Sequence, residues 1–132
     1  MTPPTVADLE RATLTTVPAP RVAFDGPFVI RAFQGGTGRA NAASSLDASP
    51  DATMAERVAR IETRYRDLGL VPRFRSTPLD PPGLTTLLLD RGYVEKDETV
   101  IFLVAIARIA AEDAGTTAAR EPDEDWIGVI AT

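Results

Sequence analysis

Residues 34–38, Gln34-Gly35-Gly36-Thr37-Gly38, followed by Arg39 and Asn41, form the first stretch whose residue types could do chemistry. Glycines let a backbone come close to an anion, and successive amides can cradle a phosphate. A dinucleotide fingerprint needs G-x-G-x-x-G between a strand and a helix. Here Gly36-Thr37-Gly38 runs into Arg39-Ala40-Asn41, so the third glycine is missing, and so is the G-K-[ST] of a Walker loop. The loop [QR]-x-x-G-x-[GA], which holds a pyrophosphate at a helix start, fails too, because Thr37 stands where counting from Gln34 requires glycine. The stretch is therefore expected to be a turn between two strands, without a bound cofactor.

Arg31, Arg39, Arg73 and Arg75 form a second constellation. Arg73 and Arg75 are two apart and share a strand face opposite Phe74. Arg31 interrupts an apolar run, where a guanidinium must find partners or reach solvent. Such a group fits an anion-binding face for phosphate or carboxylate. The expected reading is the structural one, ion pairing with Glu56, Glu62 or Asp80 and solvated strand edges, with the anion-binding face as the alternative. Tyr65 and Tyr93 have phenols able to donate a proton in a cleft, but their positions suit core packing.

Two absences narrow the chemistry. The 132-residue chain has no Cys and no His. That excludes a disulfide framework, a thiolate zinc site and a cysteine nucleophile, and removes the commonest general base. No EF-hand-like spacing of carboxylates appears, so no metal site is expected. A net charge of −5 argues against a general nucleic-acid binder. The longest apolar run, Val100 to Ala107, is too short to span a bilayer. No basic segment precedes an apolar one as in a signal peptide, so a cytoplasmic location is expected.

The elements that must position these residues follow from pattern. A helix is expected over 5–17, capped by Thr5, with Val6, Leu9, Ala12 and Thr13 on its inner side. Asp25-Gly26-Pro27 predicts a hairpin joining strands Arg21–Phe24 and Phe28–Phe33, with a further strand over Arg39–Ser44. A long helix over 50–68 is expected, capped by Ser49 and ended by Gly69. Its apolar stripe is Met54, Val58, Ile61, Tyr65 and Leu68, with Glu56–Arg60 and Glu62–Arg66 as i,i+4 pairs. A strand Arg73–Thr77 follows, then a helix from Pro81 capped by Asp80 and closed by Gly92. The apolar strand Thr99–Ala107 comes last, with cover on both faces. Helices packed on a mixed, mainly antiparallel sheet define an α/β fold. Residues 1–110 are expected to form the domain, and 111–132 an acidic linker or tail with a late apolar group at Trp126, Ile127, Val129 and Ile130.

Taken in order, the strand with Arg31, the run Gly35-Gly36-x-x-Arg39-x-Asn41, the helix ending in Glu62-Thr63-Arg64-Tyr65-Arg66, Arg73-Phe74-Arg75 and Gly92-Tyr93 resemble a known arrangement. From about Leu9 to Ile106 the chain resembles the N-terminal half of bacterial two-part GNAT-family N-acetyltransferases. There a degenerate GNAT-like half precedes a complete one that binds acetyl-CoA. The resemblance implies a GNAT-like half-fold with two or three packed helices and a role in acyl transfer from acetyl-CoA to an amine. It implies that Arg39, Asn41 and Arg75 face the acceptor substrate, with no catalytic or cofactor residue in this chain. Acetyl-CoA is implied for the whole family member and is not expected to bind this chain alone. The expected partners are a C-terminal GNAT half and a second copy, joined through the apolar edge strand. A non-catalytic ligand-binding or protein-interaction module is the alternative.

Overall fold

The computed structural model describes residues 2–35 and 37–105. The chain divides into two compact units, Met1–Glu95 and Lys96–Thr132. The expected boundary at 110 and 111, the acidic tail and the group around Trp126 lie outside the described residues, as do Gly36 of the glycine stretch and Ile106 and Ala107 of the apolar run.

Within the first unit, strands β1 (Arg21–Asp25) and β2 (Phe28–Ala32) pair antiparallel, from Arg21 opposite Ala32 to Asp25 opposite Phe28. Only Gly26 and Pro27 connect them. Gly26 takes φ +57°, a left-handed conformation that glycine reaches without steric cost, and Pro27 contributes its fixed φ. The expected hairpin is therefore present. Strand β3 (Ala43–Ser45) pairs antiparallel with β2, giving the order β1-β2-β3.

β3 starts four residues later than the pattern suggests, because Gly38–Ala40 coil into a 3-10 turn. Asn41 causes this locally. Its Oδ1 accepts from the Phe33 N–H at 2.6 Å, and its Nδ2 donates to the Thr37 carbonyl at 3.3 Å, so the loop closes on itself. Past β3, Phe74 forms a single parallel bridge with Ala43, through Ala43 N–H to Arg73 O at 2.9 Å and Arg75 N–H to Ala43 O at 2.8 Å. This bridge stands in place of the expected strand Arg73–Thr77. Pro72 and Pro78 flank it and cannot donate to a ladder, and β3 is too short to pair further.

Helix α1 (Val6–Thr16) is capped as expected by Thr5, whose hydroxyl accepts from the Asp8 N–H while the Asp8 carboxylate takes the Thr5 N–H. Its inner face differs from the expected one. Val6 and Ala12 are exposed, and the buried residue of the helix is Glu10. An ion pair outweighed hydrophobic patterning there.

Helix α2 (Met54–Asp67) carries the expected stripe, with Val58, Ile61 and Tyr65 fully buried. Its start is set by Asp51, not by Ser49 and Pro50. The Asp51 carboxylate accepts from the Thr53 N–H and hydroxyl, both at 2.9 Å, and from Arg57 Nε at 2.7 Å. Gly69 closes it at φ +69°. The i,i+4 pairs give way to tertiary partners. Arg60 and Arg57 both reach Asp25 at the hairpin corner, and Glu62 takes Arg91 and the Tyr93 hydroxyl.

Helix α3 (Leu84–Asp90) begins three residues after Pro81, at Gly83 with φ +87°, and Gly92 ends it at φ +87°. Asp80 does not cap it. Phe28, Ile30 and Ala32 of β2 meet Val58, Ile61 and Tyr65 of α2 and Leu84 and Leu88 of α3 in one core. Phe74 joins Phe28 and Tyr93 through edge-on ring contacts at 6.3 and 5.4 Å. Three helices and a three-stranded antiparallel sheet make a mixed α/β fold, consistent with a GNAT-like half-fold.

In the second unit the expected strand Thr99–Ala107 is not formed over its described part. Residues 99–105 carry no regular structure, and Val100, Ile101, Phe102, Leu103 and Val104 are all more than half exposed. β-propensity alone does not make a strand. A ladder partner is required, and none of the described residues supplies one.

Candidate functional site

Alternation along β2 sends Ile30 into the core and Arg31 to the opposite face. Val29, Arg31 and Ser44 on that second face are all nearly inaccessible, with Arg31 1% exposed. Arg73 and Arg75 project to the same side, because Phe74 between them packs into the core.

The Arg31 guanidinium is under-satisfied. Its Nη1 donates to the Val17 carbonyl at a long 3.4 Å, and its buried Nε has no hydrogen-bond partner among the described residues. Burial holds its pKa below the usual arginine value, and the neighbouring Arg75 adds to this. Tyr65 and Glu10 oppose the shift. Arginine stays protonated under any such shift, so a positive charge is buried here without a salt bridge among the described residues.

Arg75 is ion-paired with Glu10 of α1, whose carboxylate is buried. On the other side of Arg75 stands Asp80. Its Oδ2 accepts from the Ser76 hydroxyl at 2.5 Å, while its buried Oδ1 has no partner among the described residues. Burial raises the Asp80 pKa above the usual carboxylate value, against the lowering effects of the Ser76 and Thr77 hydrogen bonds and of Arg75. Glu10, Arg31, Arg75 and Asp80 thus form one cluster of two formal positive and two formal negative charges, with two buried polar atoms left over. A buried polar atom without a partner costs about 1–3 kcal/mol, so these two atoms set the cluster apart from the satisfied core.

Of the residues expected to face an acceptor, Arg75 lies in this cluster. Arg39 is exposed on the 3-10 turn, and Asn41 spends its side chain bracing the loop. Among the described residues of the glycine stretch, Thr37 and Gly38 lead through that turn towards β3, and no helix longer than three residues starts there. Tyr65 is fully buried and donates to the Arg31 carbonyl at 2.8 Å. Desolvation pushes its phenol up to about 12, against the lowering effects of the Arg31 carbonyl and charge. Tyr93 packs on Phe74, and burial with Glu62 beside it drives its phenol higher still. Both tyrosines are packing residues. Of the carboxylates in the cluster, sequence offered Asp80 as a partner of the arginines, although it also read as a helix cap, and it missed Glu10, which hid in an ordinary capped helix.

Among the described residues no three His, Cys, Asp or Glu side chains gather to hold a metal. A shallow hollow of about 180 Å³ is lined by Pro20, Arg21, Ala32, Phe33, Gln34 and Leu70, and shares no residue with the cluster. It is smaller than common ligand pockets of roughly 300–1,000 Å³. No described helix is long and apolar enough to cross a membrane.

A mixed α/β unit with a buried charged face is what the fold and the cluster define. The chain belongs to the family described as "Probable histone acetyltransferase Rv0428c C-terminal", whose model matches residues 5–132. This makes it acetyltransferase-like and corrects the expectation of an N-terminal half, since the description places the matched region at the C-terminal end of the protein it is named for. The motifs behind that expectation, such as Arg73-Phe74-Arg75 and Gly92-Tyr93, are short and carry no information on position in a longer chain. No curated protein and no solved structure matches the chain.

Proposed function

We propose that this chain serves acyl transfer from acetyl-CoA to an amine, as a GNAT-type region that supplies architecture and recognises the acceptor, with Arg39, Asn41 and Arg75 on the acceptor side. The family match over residues 5–132 is the observation that carries the reading. The α/β fold and the arginine-bearing second face support it. In this reaction the amine nitrogen bonds to the acetyl carbon, the carbon–sulfur bond breaks, and the proton lost by the amine ends on the departing thiol. Orienting the amine is worth more than any single contact, because it replaces a collision with a held geometry.

Each proposed residue has a different part. Asn41 fixes the 33–41 loop and so sets where Arg39 stands. Arg39, exposed, can reach an incoming substrate. Arg75 ties the acceptor side to α1 through Glu10. No segment matches the pyrophosphate loop [QR]-x-x-G-x-[GA], so this chain alone is not expected to hold acetyl-CoA.

Amide spectra of the chain titrated with amine acceptors (a lysine-rich histone-tail peptide, a polyamine, free amino acids) test the reading. Shifts centred on Arg39, Asn41 and Arg75 are expected for at least one amine, and none with acetyl-CoA at about 100 μM, within the usual range of enzyme substrate affinities. Acetyl-CoA binding in the low micromolar range, or no amine perturbing that face, would refute it.

A further inference from the structure

We propose that Arg31 and Arg75 form a carboxylate-binding site that Glu10 of α1 occupies from within the chain. The inference goes beyond acetyl transfer and stands without it, because it concerns binding alone.

The two guanidiniums lie close enough on one sheet face to repel each other, and each is attracted by Glu10. A buried arginine beside a half-buried one is unfavourable unless an anion sits against them. Here one carboxylate serves both. It pairs directly with Arg75 but leaves Arg31 with an unpartnered Nε and a single long bond to Val17. Arg31 is 1% exposed, so water does not compensate freely. A ligand carboxylate has two oxygens and no helix restraining it. It could engage Arg75 and the Arg31 Nε–H together, as the fork of guanidinium donors favours.

The occupant sits on a lightly buried helix. Glu10 is the buried residue of α1, while Ala7, Leu9, Thr13 and Leu14 are half-buried and Val6, Arg11, Ala12, Thr15 and Thr16 are exposed. Thr5 and Asp8 cap the helix from its own sequence, so the cap does not depend on docking. An isolated helix of 11 residues is marginal in water, so release of Glu10 would loosen α1 as a whole. The Glu10 carboxylate thus stands where a ligand's carboxylate would go, and α1 is a plug that a matching ligand displaces.

Calorimetry at fixed ionic strength with succinate, and separately with inorganic phosphate, measures the site in the wild-type chain and in Glu10→Gln. Removing the internal carboxylate should tighten succinate binding at least tenfold, since apparent affinity scales with the fraction of open site. Adding Arg75→Gln to Glu10→Gln should abolish it. In the wild-type chain, with no variant needed, saturating succinate should speed hydrogen exchange of the α1 amides while sparing those of α2. A folded Glu10→Gln that binds succinate no more tightly than wild type would overturn the proposal. Binding of phosphate without succinate would overturn the carboxylate assignment. Succinate binding that leaves α1 exchange unchanged would overturn the displacement.

Discussion

Tyr65→Phe is the perturbation whose effect can be worked furthest from the structure. The phenol is fully buried in the core of the first unit and gives its hydrogen bond to the Arg31 carbonyl at 2.8 Å, joining α2 to β2. Phenylalanine keeps the ring and its packing but leaves that carbonyl without the phenol, a cost of about 1–3 kcal/mol. For a unit of this size that lowers the melting temperature by roughly 4–8 °C per kcal/mol. The alkaline limb gives an independent reading. Tyr65 has its folded pKa raised from 10.0 to about 12, chiefly by desolvation. Its stabilising contribution is therefore complete below pH 10 and is lost as pH rises towards 12, because the unfolded chain releases the proton first. At about 1.4 kcal/mol per pH unit, the wild-type loss from this group reaches about 2–3 kcal/mol. Urea melts followed by circular dichroism from pH 7 to 11.5 are the assay. The Phe variant should start lower at pH 7 and fall less steeply above pH 10, with the residual slope owed to Tyr93, whose pKa is also raised. Equal stability at pH 7 together with an unchanged alkaline slope would show that the Tyr65 hydroxyl is not held as described.

Gly26→Ala and Gly83→Ala form a matched pair, since both residues have positive φ. At Gly26 a Cβ would lie 2.4 Å from Arg57 Nη1, whereas at Gly83 it would meet only Met54 Cε at 3.7 Å. Both should lose about 1 kcal/mol to backbone strain, and Gly26→Ala at least about 1 kcal/mol more as Arg57 is pushed off Asp25. Equal losses in thermal melts would refute the close packing of Arg57. The exposed run Val100–Val104 predicts a homodimer, which Phe102→Asp should weaken in sedimentation velocity. A wild-type monomer at about 100 μM, well above a micromolar dissociation constant, would end that proposal.

What the sequence made legible was whatever a local signal determines alone. Asp25-Gly26-Pro27 demands a tight turn, and the stripe Met54, Val58, Ile61, Tyr65, Leu68 matches helical period, so hairpin and α2 could be read directly. Gly69 and Gly92 marked their helix ends for the same reason. Local rules failed where a distant residue competed. Arg60 was expected to pair with Glu56 one turn away, but Asp25 binds it at 2.8 and 2.9 Å from across the unit. Ala12 was expected on the inner side of α1, but Arg75, far along the chain, drew Glu10 inward instead. Asp80 looked like a helix cap until Gly83 took the start of α3. The site was half legible on the same terms. Arg31 declared itself by standing in an apolar strand, Arg75 by its alternation with Phe74, and Asp80 as a candidate partner, whereas Glu10 lay in a helix whose local pattern explained it without remainder.

β3 and the residues leading into it are Ala42, Ala43, Ser44 and Ser45, all buried. Ala43 lies in the core against which Phe74 packs, and Ser44 shares the buried opposite face with Val29 and Arg31. Volume that a strand ordinarily fills with its own valines and isoleucines is supplied here from next door. Mutational tolerance is thereby turned around: the short β3 is the sheet's least enlargeable part, and a change as mild as Ala43→Val intrudes on space that other core side chains already own. Over evolutionary time such a strand drifts only among the smallest residues, while the long side chains leaning over it can change in length as long as their partners change with them.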